Sequence, residues 1–269
     1  MTPPFHMLHL PLLDRWPELV GPLRQREMAG DEDLGYRAHR LLSGLFGELS
    51  PKPFALISRR TGGSGPRSAI LAYAEDGIAT YSETARGLAS PDLYRAVLWE
   101  SAADKPMPSA FRVGARFGFE VRCCPVVRVS SRHGGGRDDG SEVDAFLRAL
   151  DIAGHGEGGA LDGKPHGLDR REIYREWFRH QVARLGGAEL KSDLQLTGMR
   201  RLRLARRGRS GAADGFRQLA ALERPEATFA GTIEVTDAER FFGLVRRGIG
   251  RHRAFGFGML LLKPARPAD

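Results

Sequence analysis

Tyr36 and His39 stand three residues apart in a stretch whose apolar residues, Leu34, Ala38, Leu41, Leu42 and Leu45, recur at helical spacing, so the two rings share a helix face. Histidine titrates near neutrality and can give or take a proton, while a tyrosine hydroxyl can orient a phosphate or a sugar hydroxyl. Residue type alone leaves the other reading open, because a single helical histidine is more often structural or merely exposed. A second group lies near the C-terminus, Gly248-Ile249-Gly250-Arg251-His252-Arg253-Ala254-Phe255-Gly256-Phe257-Gly258. Gly248, Gly250, Gly256 and Gly258 free the main chain for close approach, and Arg251, His252 and Arg253 offer donors to phosphate. This is not a dinucleotide fingerprint, since its glycines follow a helix rather than opening one after a strand. His252 is the rival to His39 for proton transfer; His180 reads as a helix-surface residue.

The third group is basic. Met199 to Arg209 holds six arginines in eleven residues: Arg200, Arg201, Arg203, Arg206, Arg207 and Arg209. Arg201 and Arg203 alternate with Leu202 and Leu204, so a strand here buries leucines and presents arginines. A ribbon of that kind suits an RNA stem, which proteins hold mainly through phosphates and 2′-hydroxyls. A solvated surface strand is the plain alternative. An acidic membrane surface is disfavoured because no amphipathic helix with aromatic anchors accompanies the cluster.

The elements that must position these groups fall into two similar halves. In the first, Phe5 to Leu10 reads as a strand ending at Pro11. A helix follows from Asp31-Glu32-Asp33 to Gly47, then strands at Phe54 to Ser58 and Ala69 to Tyr73 around a Gly-rich hairpin loop, a largely helical span from Thr80 to Trp99, and a strand near 100 to 106. That order is β-α-β-β-α-β. Residues 104 to 115, with two prolines, read as a linker. In the second half, Arg116 to Val129 alternates as one strand. Glu142 to Leu150 and Arg170 to Leu185 read as helices beside Gly-rich loops at 132 to 140 and 154 to 167. Arg200 to Leu204, Ala227 to Val235 and Phe257 to Leu262 read as strands, and Asp237 to Arg246 as a helix.

Composition narrows the function. The chain has 269 residues, 41% hydrophobic and 28% charged, enough for two units with cores of their own, divided as 1–112 and 113–269. Its only cysteines, Cys123 and Cys124, are neighbours, which excludes a disulfide framework and a spaced-thiolate zinc site and suits a reducing, cytoplasmic setting. The opening Met1-Thr2-Pro3-Pro4 carries no secretory pattern, and no apolar run reaches the ~20 residues of a bilayer span. A net charge of +8 favours polyanionic partners. No carboxylate or Cys/His cluster has metal-ligand spacing, so the chemistry expected is metal-independent and without cofactor.

The run Thr228 to Lys263, TFAGTIEVTDAERFFGLVRRGIGRHRAFGFGMLLLK, resembles the C-terminal signature of the CasE family, CRISPR-associated endoribonucleases, in its strand, short helix, G-I-G-x-x-x-x-x-G-x-G loop and final apolar strand. Leu34 to His39 and Gly114 to Val129 add thinner similarity, so both halves are touched. The resemblance implies an α+β protein of two tandem ferredoxin-like domains and a catalytic role for His39 with Tyr36 one turn before it. It implies binding of the CRISPR repeat RNA hairpin and of the mature guide RNA, with other Cascade subunits as partners. The reaction implied is attack of an RNA 2′-hydroxyl on the adjacent phosphorus, leaving a 2′,3′-cyclic phosphate and a 5′-hydroxyl. A non-catalytic RNA-binding subunit of such an assembly is the alternative.

Overall fold

The computed structural model describes residues 5–21, 34–58, 68–129, 141–154, 167–207 and 219–265; of residues 203–207 and 219–222 it describes the backbone alone. In the first half β1 (His6–Leu12) leads through a short α1 (Trp16–Leu19) to α2 (Leu34–Phe46), β2 (Phe54–Ser58), β3 (Ser68–Ala74), α3 (Ile78–Leu88), α4 (Pro91–Arg95) and β4 (Ala103–Pro106). The antiparallel sheet has the order β2-β3-β1-β4. Its buried face, Leu8, Leu10, Leu12, Ile70 and Ala72, meets Ala38, Leu41, Leu42, Leu45 and Phe46 of α2. Each leucine taken fully out of water there contributes about 1.5–3 kcal/mol, so the apolar stripe of α2 fixes which face its polar residues show.

β1 continues through Pro11 instead of ending before it. β4 pairs only with His6 to His9, so at Pro11 the strand is locally an edge where a missing N–H costs no ladder bond. The Pro11 carbonyl still accepts from the Leu98 N–H at 2.9 Å. The expected strand near 100 to 106 is β4, which takes up the first part of the segment read as linker.

The second half runs β5 (Arg116–Cys123), β6 (Val126–Arg128), β7 (Glu142–Asp144), α5 (Ala145–Gly154), α6 (Arg170–Leu185), β8 (Ala188–Leu190), β9 (Gln195–Arg207), β10 (Leu219–Val235), α7 (Ala238–Arg247) and β11 (Leu261–Pro264). Its main sheet has the order β11-β5-β10-β8, with β9 also paired to β10. With β8 and β9 sharing the place of a second strand, this is the same order as the first sheet, and the chain is two ferredoxin-like units in tandem. α7 starts where expected: the Asp237 side chain caps it, accepting from the Arg240 N–H at 2.9 Å.

In the second half four further boundaries differ from the sequence reading. The strand expected over Arg116 to Val129 breaks at Cys124-Pro125, where proline removes a donor, and its end becomes β6, paired with β7 in a separate two-stranded ribbon. The helix expected from Glu142 begins only at Ala145, because Asp144 accepts from the Phe146 N–H at 2.8 Å and acts as its cap. β9 and β10 form a hairpin far longer than the two short strands expected. The final strand starts at Leu261, not Phe257, because Gly256 and Gly258 have φ of 81° and 79°, outside the extended region.

The two units share an apolar joint. Phe5, just before β1, packs edge-on against Tyr73 at 5.3 Å and against Phe242 of α7 at 4.9 Å. The Tyr73 hydroxyl donates to the Leu260 carbonyl at 2.7 Å in a buried position. Among the described residues no helix is long and apolar enough to cross a membrane. Cys123 and Cys124 are free and buried, and burial pushes both thiols up, Cys124 to about 12.

Candidate RNA-cleaving site

The site forms where α2 meets the turn between α7 and β11. α7 ends at Gly248, whose N–H donates to the Leu244 carbonyl at 2.8 Å and whose φ of 74° reverses the chain. The loop then closes on itself, with the Ile249 N–H on the Gly258 carbonyl at 2.8 Å and the Gly258 N–H on the Arg122 carbonyl at 2.6 Å. The close approach seen at these glycines is of protein to protein. A Cβ on Gly248 would lie 2.5 Å from the Gly258 oxygen, and one on Gly258 would lie 2.3 Å from the Ile249 oxygen. Between them His252 takes a left-handed conformation, φ 61°, which starts a short 3-10 turn, Arg253–Phe255.

That turn delivers Phe255 to α2. Its ring stacks on Tyr36 at 6.2 Å and 17°, meets His39 edge-on at 5.0 Å, and lies 6.2 Å from His252. Tyr36 is buried, 8% exposed, whereas His39 is half-buried with Ser43 Oγ 3.5 Å from its Nδ1. The two residues singled out on the first helix are thus brought against the glycine loop, more than 200 residues away in sequence. Phe255, quoted within the loop motif but given no role by sequence reasoning, is the residue that joins them.

His39 and Lys52 line one small cavity of about 230 Å³ together with Ser43, Phe54 and Ala254. Burial first, and the Lys52 ammonium second, hold the His39 pKa below its ordinary value, so at pH 7 the ring is neutral. A folded-state pKa lowered in this way means that stability is lost as pH falls below the ordinary histidine value, because the buried ring must then charge. Lys52→Met removes a like charge and is expected to raise the His39 titration midpoint toward its ordinary value, as NMR titration of the ring would read. An unmoved midpoint would show that the ammonium does not act on this ring. Lys52 lay outside the sequence reading; its signal is the Pro51-Lys52-Pro53 bracket directly before β2.

A larger cleft of about 1170 Å³ opens beside the loop, lined by Lys52, Arg128, Glu142, His180, Arg184 and the loop from Gly250 to Phe255. Arg251 and His252 face it but are committed to a carboxylate: Arg251 Nε donates to Glu142 at 2.5 Å, and His252 Nε2 lies 2.9 Å from the other Glu142 oxygen. The His252 hydrogen bond foremost, then Arg251, holds the Glu142 carboxyl down at about 2. Arg253 differs, donating to the Arg247 carbonyl at 2.6 Å. Glu142 escaped the sequence reading because it opens a three-residue strand after a Gly-rich stretch, with its partners 109 and 110 residues on.

On the basic hairpin, Arg200 Nε donates to Glu226 at 2.9 Å, Arg122 pairs with the same carboxylate, and Arg201 lies 3.9 Å from Glu223. Arg201 is exposed and Leu202 buried, as the alternation requires. Arg203, Arg206 and Arg207 have their backbone in β9, and Arg209 lies outside the described residues. The Arg122 guanidinium also stands 4.6 Å over the Phe257 ring, linking the root of the hairpin to the glycine loop.

Two ferredoxin-like units, joined through an apolar seam and bringing a histidine, a lysine and the glycine loop to one small cavity, define the chain as an α+β protein. The chain belongs to the CRISPR associated protein family, whose model matches residues 19–264. It is similar in fold to the CRISPR endoribonuclease Cse3 bound to a 19-nucleotide RNA, at 18% identity and a TM-score of 0.57, over 97% of this chain and 100% of that one. Thermus thermophilus Cse3 bound to an RNA representing a pre-cleavage complex is similar at 19% identity and a TM-score of 0.55, over 97% and 100% of the two chains. A chain of a CRISPR RNA-guided surveillance complex, pre-nicking, is similar at 17% and 0.50, over 96% and 100%. No curated protein matches the chain in sequence.

Proposed function

We propose that this chain is a CasE-type endoribonuclease that cuts CRISPR precursor RNA at its repeat hairpins and then stays on the stem-loop of the guide RNA as a Cascade subunit in the cytoplasm. The observation that carries the reading is the seating of Tyr36 and His39 on Phe255, with His39 sharing a small cavity with Lys52, which also lines the larger cleft beside the loop. Two neighbours of the same fold are, by their own descriptions, Cse3 proteins bound to RNA, and a third is part of an RNA-guided complex. The two units divide near residues 112 and 113.

In this mechanism neutral His39 takes the proton of an RNA 2′-hydroxyl. The oxygen attacks the adjacent phosphorus, the 5′-oxygen leaves, and the products end in a 2′,3′-cyclic phosphate and a 5′-hydroxyl. Lys52 sets positive charge against the phosphorane, where it acts in a partly desolvated cavity. Tyr36, held by its stacking, keeps the ring and the loop in register. The arginines of β9, among them Arg200, Arg201, Arg203, Arg206 and Arg207, and Arg209 next to them in sequence hold the stem through phosphates, and the loop Gly248 to Gly258 with Arg251, His252 and Arg253 faces the backbone near the cut.

The test uses a cognate hairpin RNA in excess EDTA and a second RNA with one 2′-deoxy nucleotide immediately 5′ of the cut. Cleavage is expected to continue in EDTA, with a cyclic phosphate on the 5′ fragment by mass spectrometry, and to stop on the deoxy substrate, which lacks the nucleophile. Restoration by divalent metal of an activity lost in EDTA would overturn the mechanism.

A further inference from the structure

A second cleft, of about 1020 Å³, lies on the far side of Lys52 and Arg253, between the end of β3 at Tyr73 to Glu75 and the outer face of α7. The amphipathic pattern of α7 produces it. Phe241, Phe242, Leu244 and Val245 are buried, which turns Arg240, Arg246 and Arg247 outward along one wall. Three acids also line it, but only Glu75 forms a close pair, with Arg246. Arg240 stands 3.8 Å from Asp237, and Arg247 donates to the Gly243 carbonyl at 3.1 Å. Arg247, Arg253 and Lys52 have no carboxylate partner among the described residues. By contrast, Arg251 at the other cleft pairs with Glu142, and Arg200 on the hairpin pairs with Glu226.

Lys52 lines this cleft, the cleft beside the glycine loop, and the His39 cavity, so all three meet at one point. An endonuclease cuts a phosphate inside a strand, so two arms of the polynucleotide must leave the reacting phosphorus in different directions. One cleft runs along α6 and the β6–β7 ribbon, and the other runs along α7. Its aromatic residues, Tyr73 and Phe242, are 3% and 2% exposed, so no ring is offered for a base to stack on. Exposed guanidinium groups without a stacking platform bind the backbone and do not read the bases.

We propose that the α7 cleft carries the single-stranded arm of the substrate RNA that leaves the scissile phosphate away from the hairpin, held through its phosphates by Arg240 and Arg247 without regard to sequence. This rests on the ribonuclease reading above. The experiment compares a bare hairpin RNA with the same hairpin extended by an unstructured arm, on the unmodified protein and on the double variant Arg240→Gln/Arg247→Gln. The arm is expected to tighten binding to the unmodified protein, equally for scrambled arm sequences. The variant is expected to lose that gain and to lower the slope of log affinity against log salt for the armed RNA by about 1.4, at about 0.7 for each phosphate neutralised on a single strand. Its affinity for the bare hairpin and the rate of cutting that hairpin at saturation should stay as they were. An arm that adds nothing to the unmodified protein, or a variant that keeps the gain and the slope, would overturn the proposal. So would a variant that binds the armed RNA normally but fails to join the other Cascade subunits, since the cleft would then face protein. Photocrosslinking from arm nucleotides in the unmodified protein tests the same placement without substitution: crosslinks to α7 are expected, and crosslinks confined to other elements would overturn it. Failure to cut the bare hairpin would sink the ribonuclease reading instead, and the binding comparison would still be read.

Discussion

Replacing His39 by alanine is expected to slow hairpin cleavage by about 10²- to 10⁴-fold, the contribution usual for a positioned proton-transfer group, while RNA affinity changes by less than about tenfold, or ~1.4 kcal/mol. The ring is half-buried at the edge of Phe255 and lines a small cavity of about 230 Å³ rather than either of the two larger clefts. Its loss therefore removes the proposed proton acceptor and leaves both larger clefts and the arginine hairpin in place. Single-turnover cleavage and equilibrium binding, measured on one preparation, separate the two effects. Full activity would move the chemistry to His252, whose Nε2 is held by Glu142 at the mouth of the neighbouring cleft.

The second large effect is on the fold of the glycine loop. Gly258→Ala places a methyl group 2.3 Å from the Ile249 carbonyl oxygen at a φ of 79°, and the oxygen cannot retreat because the Ile249 N–H is bonded to the Gly258 carbonyl. A backbone clash added to left-handed strain is expected to cost on the order of 3–5 kcal/mol. Melting temperature should fall sharply, and binding and cutting should fail together as Phe255 leaves Tyr36 and His39. Gly87→Ala is the control: a Cβ there meets nothing within 4 Å, and inside α3 alanine is the better helix former by up to about 1 kcal/mol. Equal melting temperatures for the two variants would show that the loop does not depend on these glycines.

Periodicity made most of this legible. α2, β2 and α6 follow the expected spans because each has an uninterrupted apolar pattern closed by a glycine, a proline or a cap. Sequence pattern alone predicts short strands for the β9–β10 hairpin, because its outer part is arginine-rich on one strand and Leu-Ala-Ala-Leu on the other, and neither looks like half of a strand pair until the partner is known. The β6–β7 ribbon is three residues a side, below the length at which alternation can be told from chance. At the site, residue chemistry pointed to Tyr36, His39 and the glycine loop. What joins them was not visible, since Phe255 reads as one more apolar residue and Lys52 as an isolated charge. Contacts across some 200 residues are set by tertiary packing, which leaves no local pattern.

The seam between the units bears on what happens after the cut. With Phe5 packed against Phe242, and Tyr73 hydrogen-bonded to Leu260, the halves are joined through a buried apolar contact and a buried hydrogen bond. For the ribonuclease proposed above, a preformed joint means that less of the energy of RNA recognition goes into ordering the two halves, and what is not spent there is expected to appear as residence time. Slow release of the cut RNA is the expected result, read as a low dissociation rate of the product hairpin. For an enzyme that must process many transcripts this would be a defect; for one whose product is the cargo it keeps, slow release is how a reaction becomes an attachment.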